Sequence, residues 1–348
     1  MEGWKVMQIV KVALVCVLVT ASLVTLPGQA DSRVWYVNVE GTGDAPTINA
    51  AVDSTAVGDT VLVGPGYYFI TESISIDKNI SVISEEGAEQ TTLHAETPIL
   101  FWLFSGGVLE GFKLTNSNTA IYVAGGFAFE TEVIIKNNVI QDHRDFGIKI
   151  FPLFDMEYIN VTIEENTIRD IFDGTGVRIN GVSNVLIRNN SILSNEVGIV
   201  AFSHGHVTIS NNIINDCVYG DMRTGIRFNP GTLTLSNNII SDNYYGLSGM
   251  ITLSTTISCN NVYNNYINYD SIDLMGIDGN ISVDPQFCAQ YPLFSGNFYL
   301  QSDSPCAPGN HPNGYSCGLI GRYPIGCGAT AVEKASWGEI KLIYKNGR

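Results

Sequence analysis

One pattern of apolar and polar positions recurs six times: VIIKNNVIQD (133–142), VTIEENTIRD (161–170), VLIRNNSILS (185–194), VTISNNIIND (207–216), LTLSNNIISD (233–242) and TISCNNVYNN (256–265). Inside each unit the apolar residues alternate, as Val207, Ile209 and Ile213 do, which places one side chain in and the next out along short strands. A second apolar segment follows each unit: FGIKI (146–150), TGVRI (175–179), VGIVA (197–201), TGIRF (224–228) and YGLSG (245–249). No stripe with helical period separates the two. Counted from the second polar residue of each pair, Asn138, Asn166, Asn190, Asn212, Asn238 and Asn261 are 28, 24, 22, 26 and 23 residues apart. A period of that size, regular but not rigid, predicts a solenoid of stacked coils. The fold class is all-β, a single-stranded parallel β-helix.

The Asn pair has a physical role in such a coil. Asn tolerates the left-handed backbone of a sharp turn better than any residue but Gly. Coils stack about 4.8 Å apart. One Asn per coil therefore sets amides above one another, each donating to the next, and the six asparagines named above are expected to form an inward ladder. Near the N-terminus Ile48, Ala51 and Val52 share one face of a short helix, expected to cap the open end of the solenoid.

The NNxI units resemble the repeats of right-handed, pectin-lyase-like β-helix proteins. The segment APTINAAVDSTAVGDTVLVGPGYY resembles the opening of many of these proteins, and LEGFKLTN (109–116) is similar to another of their coils. The resemblance runs from Val34 to Tyr299 and implies a right-handed solenoid with an N-terminal capping helix. It implies no single activity, because the fold carries lyases, hydrolases, esterases, epimerases and adhesins. SHGH (203–206) and GIKI (147–150) faintly resemble polygalacturonase motifs, but no Asp-Asp pair accompanies them. The segment from Asp284 to Gly328 resembles the Cys-containing closing segment of exported bacterial members, and SWGEIKLIYK resembles their C-terminal tail. The organisation expected is a signal peptide at 1–30, strand and capping helix at 31–60, β-helix at 61–300, a Cys-rich closing segment at 301–332 and a tail at 333–348.

Composition sharpens the picture. The apolar run from Val12 to Leu26 behind Lys5 and Lys11, followed by Gly28 and Ala30, reads as a cleaved signal peptide. The expected location is secreted or cell-surface, with no membrane span after cleavage. The formal net charge is −16; without the leader (+1) and the tail from Glu333 (+2), the body carries −19. That sign disfavours nucleic acid as a partner. A monomer is expected. Six cysteines remain after the leader, an even number that fits disulfides. Proximity suggests Cys288 with Cys306 and Cys317 with Cys327, pinning a turn-rich segment; Cys217 and Cys259 are either paired or free.

The repeats also carry candidate chemistry. Four residues after the second polar position stand Asp142, Asp170, Ser194, Asp216, Asp242 and Asn265. Two after the Gly marker stand Lys149, Arg178, Val200, Arg227 and Ser248. Acid and cation vanish together in the third coil, which suggests that Asp142, Asp170 and Asp216 meet Lys149, Arg178 and Arg227. The plain reading of such pairs is surface salt bridges. The functional reading is a groove where a carboxylate acts as base or binds Ca²⁺, the one cofactor considered, while an Arg steadies developing charge. Nine of the body's twelve Lys and Arg lie between Lys113 and Arg227, which favours a site on the middle coils. Tyr244, Tyr245, Tyr263, Tyr266 and Tyr269 crowd two coils and are candidates for stacking on sugar rings. His204 and His206 lack a third ligand, so no metal site is assigned. Two functions follow: an exported protein presenting a flank to polysaccharide or cell-envelope glycan, or a polysaccharide lyase or glycoside hydrolase acting from the middle coils.

Overall fold

The computed structural model describes residues 32–125, 131–152, 159–171, 173–181, 183–229, 231–270, 273–288 and 297–327. The expected signal peptide and C-terminal tail lie outside the described residues. The chain enters on β1 (Val34–Val37), forms helix α1 (Ile48–Ser54), and then winds through β2 (Thr60–Val63), β3 (Gly66–Ile70) and β4 (Ile74–Ile76). Every later coil repeats the order of those last three strands. Stacking the coils builds three parallel sheets: sheet A with ten strands beginning β1, β2; sheet B with nine beginning at β3; sheet C with nine beginning at β4. Inward positions are aliphatic and fully buried, such as Val161, Ile163, Ile168, Val177 and Ile179 of one coil. Full burial of each such side chain contributes about 1.5–3 kcal/mol. The expected parallel β-helix with a capping helix is the observed architecture.

Helix α1 starts at Thr47, whose hydroxyl accepts from the Ala50 amide at 3.1 Å. Its Ile48, Ala51 and Val52 are buried against the first coil, as their spacing predicts. The Lys78 ammonium donates to the carbonyls of Val52, Asp53 and Thr55 at 3.0–3.1 Å, closing the helix end. Among the described residues no helix is long and apolar enough to cross a membrane.

The Asn pair divides its labour. The residue before each ladder Asn has positive φ, near 53–57°: Asn137, Glu165, Asn189, Asn211, Asn237 and Cys259. The second member is the ladder. Asn166 donates through N and Nδ2 to Asn190 Oδ1 at 2.9 and 3.1 Å. Asn190 does the same to Asn212, and Asn212 to Asn238. Asn138 heads the column. The sixth rung is Asn260, not the expected Asn261, and Asn280 adds a seventh. Cys259 takes the left-handed position, so the last unit is offset by one residue. Asn261 faces outward and holds the closing segment, donating to the Val283 carbonyl at 2.7 Å and accepting from its amide at 3.1 Å.

The Gly markers have a different cause. At Gly176, a Cβ would lie 2.8 Å from the Gly198 carbonyl and 3.0 Å from Ile192 Cγ2, so only Gly lets successive coils approach this closely.

The closing segment straps the outer face of sheet B. Ile320 and Leu300 pack on Ile213 and Ile239 in a second apolar cluster with Phe287 and Phe298. The disulfides are Cys259–Cys317 and Cys288–Cys327, which corrects the expected pairing. Proximity in sequence misled because the strap folds back across the coils, bringing Cys317 to the left-handed turn at Cys259. Cys217 and Cys306 are buried free thiols. Asn211 and Asn237 side chains donate to the Leu319 carbonyl at 2.8 and 3.1 Å. Arg322 donates to the carbonyls of Asn166 and Glu165 and to Ser191 Oγ at 3.0–3.2 Å.

Candidate functional site

The carboxylates and the cations fall in two separate columns. Asp142, Asp170 and Asp216 occupy the turn between sheets B and C, all with φ of 59–62°. Asn116, Ser194, Asp242 and Asn264 share that conformation in the neighbouring coils, so Asn264, not Asn265, completes the column. Asp, Asn and Ser recur here because short polar side chains tolerate the left-handed region.

Each Asp is held by a neighbour other than the expected cation. Asp142 accepts from Gln141 Nε2 at 2.6 Å, Asp170 pairs with Arg169 at 3.6 Å, and Asp216 accepts from Ser194 Oγ at 3.0 Å. Burial raises the Asp170 pKa, with Arg169 opposing and Asp142 and Asp216 adding to the rise. Burial likewise raises that of Asp216, with the Ser194 hydrogen bond opposing and Asp242 adding. The column therefore holds two pairs of like charges one coil apart, Asp142 with Asp170 and Asp216 with Asp242, separated by Ser194. The joint loss at Ser194 and Val200 does not report contact.

The cations stand on the outer face of sheet C, in register. Tyr122, Lys149, Arg178, Val200, Arg227, Ser248 and Asp270 are successive partners across its strands, and Trp102 precedes Tyr122. Trp102 packs on Tyr122 with centroids 4.6 Å apart and lies parallel to Phe104 at 5.5 Å. The Lys149 ammonium sits 5.0 Å from the ring centroids of Tyr122 and Phe146 and 5.8 Å from Phe151. Arg178 lies 5.8 Å from Phe146, and its Nε donates to Asn180 Oδ1 at 2.9 Å. Arg227 lies 5.6 Å from Phe202 and reaches Met222 Sδ at 3.0 Å. Burial lowers the Lys149 pKa, Arg178 lowers it further, and Asp145 opposes.

This arrangement is a band of rings and cations about 4.8 Å apart per coil. The sequence reading found the cations and missed Trp102, Phe104, Tyr122, Phe146, Phe151 and Phe202. The signal was present: carried two coils upstream, the position after the Gly marker reads Tyr122 and then Trp102.

The tyrosines divide. Tyr244 stacks on Tyr266 at 4.7 Å and meets Tyr245 edge-on at 4.9 Å, with Arg223 at 5.7 Å from Tyr244. Tyr266 is 75% exposed. Tyr263 sits in sheet B, away from that cluster's strands. Tyr269 points inward in line with Ile226 and Leu247, and its hydroxyl is buried with no partner among the described residues. His204 and His206 are both exposed. Among the described residues no three His, Cys, Asp or Glu side chains converge to hold a metal ion.

Two family models match parts of the chain. Residues 156–285 match the right handed beta helix region, and residues 57–206 match a family described as a protein of unknown function, DUF1565. The fold is a parallel β-helix, and over residues 156–285 it matches the right-handed form of that architecture. No curated protein matches it. Among solved structures it is similar to the pectate lyase Pel9A, with 14% identity, TM-score 0.47, and 85% of this chain and 97% of that one covered. It is also similar to ORF18 of Geobacillus virus E2, with 14% identity, TM-score 0.40, and 64% and 58% covered.

Proposed function

We propose that the outer face of sheet C binds a polysaccharide laid along the solenoid axis, from Trp102 to Arg227. The observation that carries the reading is the unbroken register of Trp102, Tyr122, Lys149 and Arg178, flanked by Phe146, Phe151 and Phe202. Aromatic faces stack on the apolar faces of sugar rings, and the planar Arg fork grips a pair of hydroxyl or carboxylate oxygens in two places. Tyr244, Tyr245 and Tyr266 with Arg223 form a separate ring cluster, a second candidate for stacking on sugars. The two disulfides fit an oxidising compartment, where a secreted or cell-surface protein meets such chains.

A lyase or hydrolase is the second reading. One observation favours it: Lys149 and Arg178 stand side by side in register, two cations able to hold negative charge that develops on a bound chain, and burial followed by Arg178 lowers the Lys149 pKa. Asp142, Asp170 and Asp216 are then not its partners, since other groups hold them.

Affinity electrophoresis against neutral and uronic polysaccharides tests the binding. Trp102→Ala and Arg178→Ala should each weaken retention at least about tenfold, the loss of roughly 1.4 kcal/mol, with the melting curve unchanged. Equal retention by both variants would remove the sheet C face from the function. Release of unsaturated or reducing ends, abolished in Lys149→Ala, would favour catalysis.

A further inference from the structure

The N-terminal end of the solenoid has three strand edges, and two are closed. At β1, the Tyr36 amide donates to Asp44 Oδ2 at 2.9 Å and its carbonyl accepts from the Asp44 amide at 2.8 Å. At β4, helix α1 lies across the edge and Asn49 Nδ2 donates to the Ser73 carbonyl at 3.3 Å. The third edge, β3, is open. Gly66 donates to the Gln90 carbonyl and Ile70 accepts from the Glu96 amide, so residues 66, 68 and 70 face the next coil. In a parallel ladder the alternate residues face the other way. The N–H and C=O of Tyr67 and Phe69 thus point off the end of the sheet, where the described residues give them no partner.

The same two residues expose their side chains. Tyr67 is 51% and Phe69 68% accessible, and with His94 they form a cluster of rings 5.0–5.7 Å apart. Strand edges are ordinarily protected by charge, proline or cover, and the five residues of β3 carry no charge.

We propose that residues 339–345 of the same chain add as a strand to the free edge of β3. EIKLIYK alternates Ile340, Leu342 and Tyr344 with Lys341, Ile343 and Lys345, the pattern of a strand with one apolar face. Charge selects this occupant over a second copy. Glu40, Glu85 and Glu86 act on Tyr36 or Tyr68 beside the edge, and Glu89 precedes the Gln90 that pairs with Gly66. Two copies edge to edge would bring these acids together, whereas the segment carries Lys341 and Lys345 to them. Reach permits it. Cys327, the last described residue before the segment, is tied through Cys288 and Tyr299 to Tyr323 at the coil of Ser191, five coils from β3, which is about 24 Å along the axis. Residues 328–338 extended span up to ~36 Å.

Hydrogen exchange of the full chain tests this directly. The amides of Tyr67 and Phe69 should exchange on the order of 100-fold faster after truncation at residue 337. Leu342→Pro in the full chain should do the same, which guards against a truncation that misfolds. Addition of a peptide of residues 338–348 should restore protection to the truncated chain. Unchanged exchange in both variants overturns the proposal. So does protection that persists in the truncated chain and grows with protein concentration, which would make a second copy the occupant.

Discussion

His143 gives the sharpest test of how the coils are held. It occupies the turn between sheets B and C one residue after Asp142, where other coils carry Asn195, Cys217, Asn243 and Asn265. Asn243 Oδ1 accepts from the Cys217 amide at 2.9 Å, and Asn195 Oδ1 from that of Ile171 at 3.1 Å. His143 does the same with a ring nitrogen. Its Nδ1 accepts from the Ser117 amide at 3.1 Å, and its Nε2 faces the Leu114 carbonyl at 3.1 Å, which fixes the neutral Nε2–H tautomer. Burial pushes its pKa down to about 4. The folded pKa lies below the unfolded value, so the folded chain favours the neutral ring. That contribution is complete above the unfolded pKa of about 6.5 and is lost as pH falls toward the folded one. At about 1.36 kcal/mol per pH unit, roughly 2 kcal/mol is gone by pH 5 and about 3 kcal/mol by pH 4. His143→Asn keeps an acceptor for the Ser117 amide but cannot titrate. Urea unfolding of both proteins from pH 8 to pH 4 should show their stability difference shifting by that amount, with other ionisations cancelling. Parallel curves across the range would refute the reasoning.

Two further outcomes follow from the geometry. Asn190→Ala removes five ladder hydrogen bonds and should lower stability by about 3–5 kcal/mol, whereas Asn189→Gly, at a φ of 53°, should be close to neutral; equal effects in thermal melts would contradict the division of labour within the pair. Arg322→Met should free the strap locally at a loss of about 2–3 kcal/mol, read as faster proteolysis of residues 297–327 with the coils still protected, and unaltered cleavage would show that the apolar contacts alone hold it.

The solenoid was legible because strand alternation and turn chemistry are local, and each coil writes both afresh. Asn138 through Asn238 could be placed from sequence for that reason. The ladder slipped at Asn261 because Cys259 fills a left-handed turn that composition alone assigns to Asn. The disulfides were not legible, since the strap's return path depends on Ile320 finding Ile213 and Ile239, residues far away in the sequence. At the candidate site the Asp column was visible but its cause was backbone conformation, which a periodic acid does not distinguish from chemistry. In the sheet C band Trp102 and Tyr122 went unseen because they precede the first clear Asn repeat, and Phe146, Phe151 and Phe202 because they stand outside the two positions that were compared from coil to coil.

The strap also acts as a ruler. Arg322 rests at the coil of Asn166, Leu319 at those of Asn211 and Asn237, and Cys317 at Cys259. These anchors fix the number of coils between the first and the last. Duplicating or deleting one coil within that span would leave the neighbouring coils well stacked while pulling Arg322 or Cys317 out of reach. Upstream of Asn166 the described residues of the strap make no such contact, and the linker of residues 328–338 leaves slack. Lineages of this protein should therefore vary in coil number before Asn166 and keep it constant after.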